Sequence, residues 1–212
     1  MSTPEELPTI AIVGPTGSGK STVAFELAKE FGGEIISCDS VQVYRGFDVG
    51  SAKPTAQEQS EVVHHLVDVA DWQETYDTQR FREDATRLIS EIRSRGRYPI
   101  ICGGTGLYFR VLRWGVIDVP SADPDFRQNW EEREAQAPGS VVARLQEVDP
   151  ESLEAIARNN VRQQIRALEI FEMTGRKASD LKREHGFKDE EVPMRAYWLQ
   201  WPAEPLRQRI RA

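Results

Sequence analysis

Gly14-Pro15-Thr16-Gly17-Ser18-Gly19-Lys20-Ser21 matches G-x-x-x-x-G-K-[ST] at every fixed position. It lies between Thr9–Gly14, a short β-branched apolar run that reads as a buried strand, and Lys20–Phe31, whose apolar residues recur at helical spacing. The glycines let the backbone come close enough for successive N–H groups to converge on phosphate oxygens. The following helix turns its positive end toward them. Lys20 adds a full charge, and the Ser21 hydroxyl is suited to hold a Mg²⁺ that bridges phosphates. The loop therefore predicts a phosphate site. It does not name the reaction. The same cradle serves transfer of a terminal phosphoryl group or a diphosphate that departs.

Past the loop, strand and helix signals alternate. Gly33–Ser40 reads as a second buried strand and Val41–Thr55 as a glycine- and proline-broken loop. Thr78–Gly96 reads as an amphipathic helix stopped by its glycine, Arg97–Gly106 as a third strand entering a glycine-rich turn, and Leu107–Gly115 as a helix. This alternation predicts an α/β fold: a parallel P-loop sheet core flanked by helices. From Pro120 to Val192 the pattern turns helical with almost no strand signal, in Ser121–Glu134, Ser140–Asp149 and Arg162–Gly175. The expected organisation is a catalytic core over 1–119 and a helical insertion over 120–192. Residues 193–212 then supply a returning strand (Arg195–Trp201) and the start of a C-terminal helix. The helix start at Pro205–Ala212 has no ending signal, which suggests a short or truncated chain.

The 212 residues carry a net charge of −7, so the chain as a whole is not the basic body usual for a nucleic-acid binder. Arg158–Lys188 departs from that average, with eight Lys/Arg against four Asp/Glu. This stretch is either a docking face for an anionic partner or a solvated helix face. No run approaches the roughly 20 apolar residues of a membrane span, and the acidic Met1–Pro8 segment is not a signal peptide. Cys38 and Cys102 sit in strand-like apolar runs and are expected to be buried free thiols of a cytoplasmic protein.

Asp39 ends the second strand, on the edge where α/β proteins bind ligands. A carboxylate there can take a proton from a nucleophile or hold metal; equally, Asp-Ser is a capping pair. The Thr105 hydroxyl, in the turn at the same edge, can orient a substrate amine or cap the following helix. His64 and His65 have no cysteine or carboxylate at ligand spacing and read as structural. Trp114, Trp130, Trp198 and Trp201 can stack on bases, although the alternating Tyr197–Trp201 segment reads as strand packing in the core.

Gly14–Ser21, Asp39–Pro54 (DSVQVYRGFDVGSAKP), His64–Val69, Gly103–Phe109 and Pro120–Arg127 occur in this order at compatible spacing. Together they resemble the tRNA dimethylallyltransferase (tRNA isopentenyltransferase) family over residues 9–202. The resemblance implies transfer of the prenyl group of dimethylallyl diphosphate to the exocyclic N6 of an adenosine beside the anticodon of tRNA, with diphosphate released. It places Gly14, Pro15, Thr16, Gly17, Ser18, Gly19, Lys20 and Ser21 around the diphosphate, with Ser21 on Mg²⁺. It makes Asp39 the base on the amine and puts Thr105 near both amine and diphosphate. Arg127 would meet diphosphate and tRNA, and Asp39, Ser40, Val41, Gln42, Thr105, Arg127 and Arg166 would contact tRNA.

Two departures qualify the match. The family's Q-R-[IL]-x-R-A-L-E segment appears as Arg162–Glu169, where Arg166 fits while Arg162, Gln163 and Gln164 fall out of register. That segment also reads as a helix with Ile165, Leu168 and Phe171 packing inward. Family members continue well beyond this length with further helices that grip tRNA. The alternatives are a prenyltransferase acting on free AMP, an ATP-dependent small-molecule kinase and a regulatory nucleotide-binding module. A monomer is the default expectation.

Overall fold

The computed structural model describes residues 7–117, 119–120 and 122–211. The acidic N-terminal segment up to Glu6, Ser121 of the Pro120–Arg127 motif and the chain end at Ala212 lie outside the described residues. In chain order the elements are β1 (Thr9–Val13), α1 (Lys20–Phe31), β2 (Gly33–Ser37), α2 (Ala56–Glu61), β3 (His64–His65), α3 (Thr78–Ser94), β4 (Tyr98–Gly103), α4 (Gly106–Trp114), α5 (Pro124–Gln136), α6 (Ser140–Val148), α7 (Pro150–Ala155), α8 (Val161–Thr174), α9 (Ala178–His185), β5 (Met194–Trp198) and α10 (Ala203–Arg211). They form two compact units. The first runs up to Gly115 and resumes at Asp189; the second is Val116–Lys188.

The first unit is a five-stranded sheet in the order β3-β2-β4-β1-β5, with every pairing parallel. β2 and β4 are buried almost throughout because helices cover both faces of a parallel sheet, and their unbroken apolar runs reflect that. Ile12, Ile36, Ile100 and Ile101 form its core with Ala24 of α1 and Phe81 of α3. Cys38 and Cys102 are buried and free. Burial pushes both thiols up, Cys102 to about 11, so neither is a ready thiolate.

Three details depart from the sequence expectation. α2 follows directly on the expected Val41–Thr55 loop, in a stretch the sequence reading left unassigned; Thr55 and Glu58 form a reciprocal capping box, the T-x-x-E pattern. β3 pairs only two residues with β2. The returning strand ends at Trp198, and its aromatic residues are not core. Tyr197 is 54% and Trp198 68% exposed, because β5 is an edge strand on which only Met194 is buried.

The second unit packs α5–α9 around Val141, Leu145, Ile156, Ile165 and Leu168, with Trp130 and Phe171 half-buried against them. Asp149 is buried at its centre and accepts from Ser152 N, Ser179 N and Ser179 Oγ at 3.1, 3.0 and 2.6 Å. Gln164 is wholly buried, its amide donating to Ala157 and Arg158 carbonyls. In this unit its role is structural.

Candidate active site

β1 ends at Val13 and the chain turns through Gly14–Gly19 into α1. Gly17 and Gly19 adopt φ of 78° and 86°, a left-handed region that side chains resist. Gly14 is required by contact, since a Cβ there would lie 2.8 Å from the Leu199 carbonyl. Ser18 N donates to Pro15 O (3.2 Å), closing the loop. The Ser18 hydroxyl is buried and carries no hydrogen bond among the described residues.

At the same sheet edge, the chain leaves β2 beside β4. Cys38 N donates to Cys102 O (2.8 Å) and Thr105 N to Cys38 O (3.2 Å). The approach is so close that a Cβ on Gly103 would run into the Cys38 carbonyl. Asp39 follows, its Oδ1 accepting from Val41 N (2.9 Å) and Gln42 N (3.3 Å) in an Asx turn. Both bonds fall on one oxygen, and Oδ2 carries none among the described residues. Asp39 thus caps a turn and keeps an oxygen available for a proton.

Thr105 occupies the N-cap position of α4, but its side chain does not cap the helix. Its Oγ1 accepts from Ser40 N (3.0 Å) and donates to Ser40 Oγ (3.3 Å). The hydroxyl ties the β4 turn to the Asp39 loop.

The loop after Asp39 is fixed by two residues that the sequence reading passed over or assigned elsewhere. Gln42 accepts from Ser37 Oγ (2.8 Å) and donates to Ser51 O (3.0 Å) and Ala52 O (2.9 Å). Lys53, with a side chain only 7% exposed, donates to Tyr44 O (2.8 Å), Asp48 (2.8 Å) and Asp68 (2.6 Å). Burial would lower its pKa; the bonds to Asp48 and Asp68 outweigh that and hold it above the usual lysine range. Only an unpaired glycine- and proline-rich stretch is visible in the sequence; the partner Asp68 is supplied by the fold.

These elements enclose a cleft of about 410 Å³ lined by Thr16, Lys20, Ser21, Asp39, Gln42 and Gly103, among others. His64 lines it too, stacked on Phe25 with centroids 6.5 Å apart and its Nδ1 2.8 Å from Val62 O. Burial holds His64 below the usual imidazole range. His65 instead pairs with the buried Glu34 (2.7 Å). Among the described residues, no three His, Cys, Asp or Glu side chains gather as a metal cage.

Arg127 and Arg166, in the second unit, converge on one carboxylate. Glu169 is 0% exposed. It accepts from Arg127 Nη2 (2.9 Å), Arg127 Nε (3.1 and 3.2 Å), Asp123 N (2.6 Å) and Arg166 Nη1. Burial alone would raise its pKa; the arginine hydrogen bonds and the Asp123 amide overcome this and hold it below the usual carboxylate range. Arg166 also donates to Pro120 O (2.8 Å).

The family model described as IPP transferase matches residues 42–212. The tRNA dimethylallyltransferase of Methylococcus capsulatus is 46% identical over 196 residues, spanning 92% of this chain and 62% of its own length. The enzyme of that name in Sorangium cellulosum is 44% identical over 204 residues, spanning 96% and 65%. The crystal structure of full-length tRNA isopentenylpyrophosphate transferase from Bacillus halodurans superposes with a TM-score of 0.53 at 43% identity, covering 80% of this chain and 57% of that one. A eukaryotic dimethylallyltransferase captured acting on tRNA gives a TM-score of 0.70 at 30% identity, covering 95% and 50%. The chain therefore spans under two thirds of the length of these curated relatives.

Proposed function

The chain belongs to the IPP transferase family, and from that premise we propose that it transfers a dimethylallyl group from dimethylallyl diphosphate to N6 of the adenosine adjacent to the anticodon of tRNA. The observation that carries this reading is the cleft itself, where the phosphate-loop residues Lys20 and Ser21 share one wall system with the Asp39 carboxylate. A phosphate cradle facing a carboxylate suits a reaction in which the phosphates leave and the nucleophile gives up a proton.

The bond balance is simple. The N6 lone pair forms a bond to the allylic carbon, the carbon–oxygen bond breaks, and its electron pair leaves on the diphosphate. The N6 proton passes to Asp39 Oδ2, the oxygen outside the Asx turn. Lys20 and the loop N–H groups stabilise charge growing on the departing diphosphate. Ser40, fixed by Thr105, and Val41 present the loop edge to the nucleotide. Gln42 contributes by holding that edge, since its amide oxygen is engaged by Ser37 of β2 and its nitrogen by the Ser51 and Ala52 carbonyls. The resemblance implies that Arg127 meets diphosphate and tRNA and that Arg166 meets tRNA; Glu169 holds both guanidiniums.

Ser21 fits the role of a Mg²⁺ ligand. Ser21, in the first turn of α1 and on the cleft wall, would hold such an ion through its hydroxyl. Bound there, Mg²⁺ would supply charge neutralisation for the leaving group. An adenine amine must be unstacked to reach the cleft, which is least costly in a single-stranded loop and favours the anticodon loop of tRNA. A tRNA acceptor supports a cytoplasmic reaction. No helix among the described residues is long and apolar enough to cross a membrane.

The test offers labelled dimethylallyl diphosphate with tRNA and AMP in parallel, to wild type and Asp39→Ala. The expected outcome is label in tRNA that falls by roughly 10²–10⁴-fold in the variant. Label in AMP alone, or transfer of the γ-phosphate of ATP instead, would overturn the proposal.

A further inference from the structure

The carbonyls of the phosphate loop are held from outside by the segment that follows β5. Leu199 N donates to Val13 O (2.8 Å), extending the β1–β5 ladder past its end. Trp201 then leaves the strand direction, and its indole Nε1 donates to Ser18 O (3.0 Å). Arg209 of α10 donates through Nε to Gly17 O (2.9 Å), and its guanidinium lies over the Trp201 ring at 4.6 Å. Ile210 backs Gly17 closely, so that a Cβ there would sit 2.8 Å from Ile210 Cγ1.

The consequence follows from peptide geometry. In a planar trans peptide the C=O of one residue and the N–H of the next point in opposite directions. Fixing Ser18 O on the indole therefore turns the Gly19 N–H the other way. That N–H makes no backbone hydrogen bond among the described residues. The bond on Gly17 O fixes the preceding peptide likewise, and its Ser18 N–H already bonds Pro15 O. Gly17 and Gly19 both have positive φ and little intrinsic preference for one orientation. An external clamp is what would keep these peptide planes from rotating.

We propose that Trp201 is a positioning residue for diphosphate binding: by holding Ser18 O through its indole N–H, it aims the Gly19 N–H into the phosphate cradle. The proposal rests on the phosphate site of the proposed function and adds a residue outside the loop motif. Trp201 does not touch the diphosphate. Its contribution is preorganisation, which saves the ordering of a flexible glycine-rich loop on binding.

The experiment measures the Kd of inorganic diphosphate with Mg²⁺ by titration calorimetry for wild type, Trp201→Phe, Trp201→Ala and Trp198→Phe, each with its melting temperature. Trp201→Phe keeps a ring beneath Arg209 and removes the donor. Its Kd is expected to rise about five-fold, which corresponds to about 1 kcal/mol, with the melting temperature unchanged. Trp201→Ala loses the arginine stack as well and binds more weakly still. Trp198→Phe, at an exposed tryptophan with no bond to the loop, retains wild-type affinity. Tight wild-type binding that Trp201→Phe leaves unchanged overturns the clamp alone. A wild-type chain that does not bind diphosphate overturns both the clamp and the reading it rests on. A loss that appears only together with a lowered melting temperature makes Trp201 a general packing residue and also overturns the proposal.

Discussion

Replacing Glu169 by alanine should destabilise the chain more than any surface ion pair could. The carboxylate is fully buried and accepts from two guanidiniums and the Asp123 amide. Deleting one partner of a buried ion pair costs about 3–5 kcal/mol, because the other charge is left uncompensated. Here Arg127 and Arg166 each keep 28% of their side chain exposed, so water recovers part of that loss. The expectation for Glu169→Ala is therefore the lower end, about 3 kcal/mol. At about 2–4 °C per kcal/mol for a chain of this size, the melting temperature should fall by roughly 6–12 °C. Glu169→Gln keeps one acceptor oxygen and the side-chain shape, and about half that loss is expected.

The pH dependence is an independent check. The pKa of Glu169 is lower in the folded chain than in the unfolded one. Its stabilisation is complete above the unfolded value, about 4.3, and is lost as pH falls through the depressed folded value. The gap in melting temperature between wild type and Glu169→Gln should thus be constant near neutrality and close below about pH 4. Thermal melts followed by far-UV circular dichroism from pH 7 downward decide the matter. A Glu169→Ala variant that melts within about 2 °C of wild type, or a gap that does not change in acid, would refute the assignment of Glu169 as the pin of the two arginines.

Gly103→Ala would drive a Cβ into the Cys38 backbone, 2.8 Å from its Cα, where neither strand can yield. More than about 3 kcal/mol should be lost, read as a collapse of the folded yield or a steep fall in the denaturation midpoint; a near-wild-type midpoint would show that β2 and β4 can separate at this edge. Lys53→Met keeps the buried stem and removes the ion pairs. Asp48 and Asp68 are exposed enough to turn to water, so about 2 kcal/mol is expected, with amide exchange in the 42–54 loop accelerating while the sheet stays protected. Uniform exchange across the unit would contradict a local role.

Much of the first unit was legible from local chemistry. The glycine spacing of Gly14–Ser21 permits one kind of loop, and the apolar runs of β1, β2 and β4 are those of strands covered on both faces. Buried Cys38 and Cys102 follow from the same runs. α2 carries a local signal of the same kind in its Thr55–Glu58 capping box, just past the glycine- and proline-broken loop. Such features depend on residues within a few positions of each other, where backbone sterics and side-chain period dictate the outcome.

What the sequence left open depended on partners far along the chain. Tyr197 and Trp198 carry a core-like pattern, but the strand order puts β5 at the sheet edge and leaves them exposed. That Thr105 does not cap α4, the capping role the sequence allowed, and holds Ser40 instead was decided by the approach of β4 to the Asp39 loop. The indole of Trp201 reaches Ser18 and Glu169 gathers Asp123 with Arg127 because folding brings together residues separated by 183 and by 46 and 42 positions. No local period encodes such meetings. The sequence determined that a glycine-rich strand-to-helix loop would form and which side chains stand at its edge. Only the tertiary structure decided which of them are spent holding one another and which oxygen of Asp39 stays outside the Asx turn, because hydrogen-bond partners are assigned by packing and not by spacing along the chain.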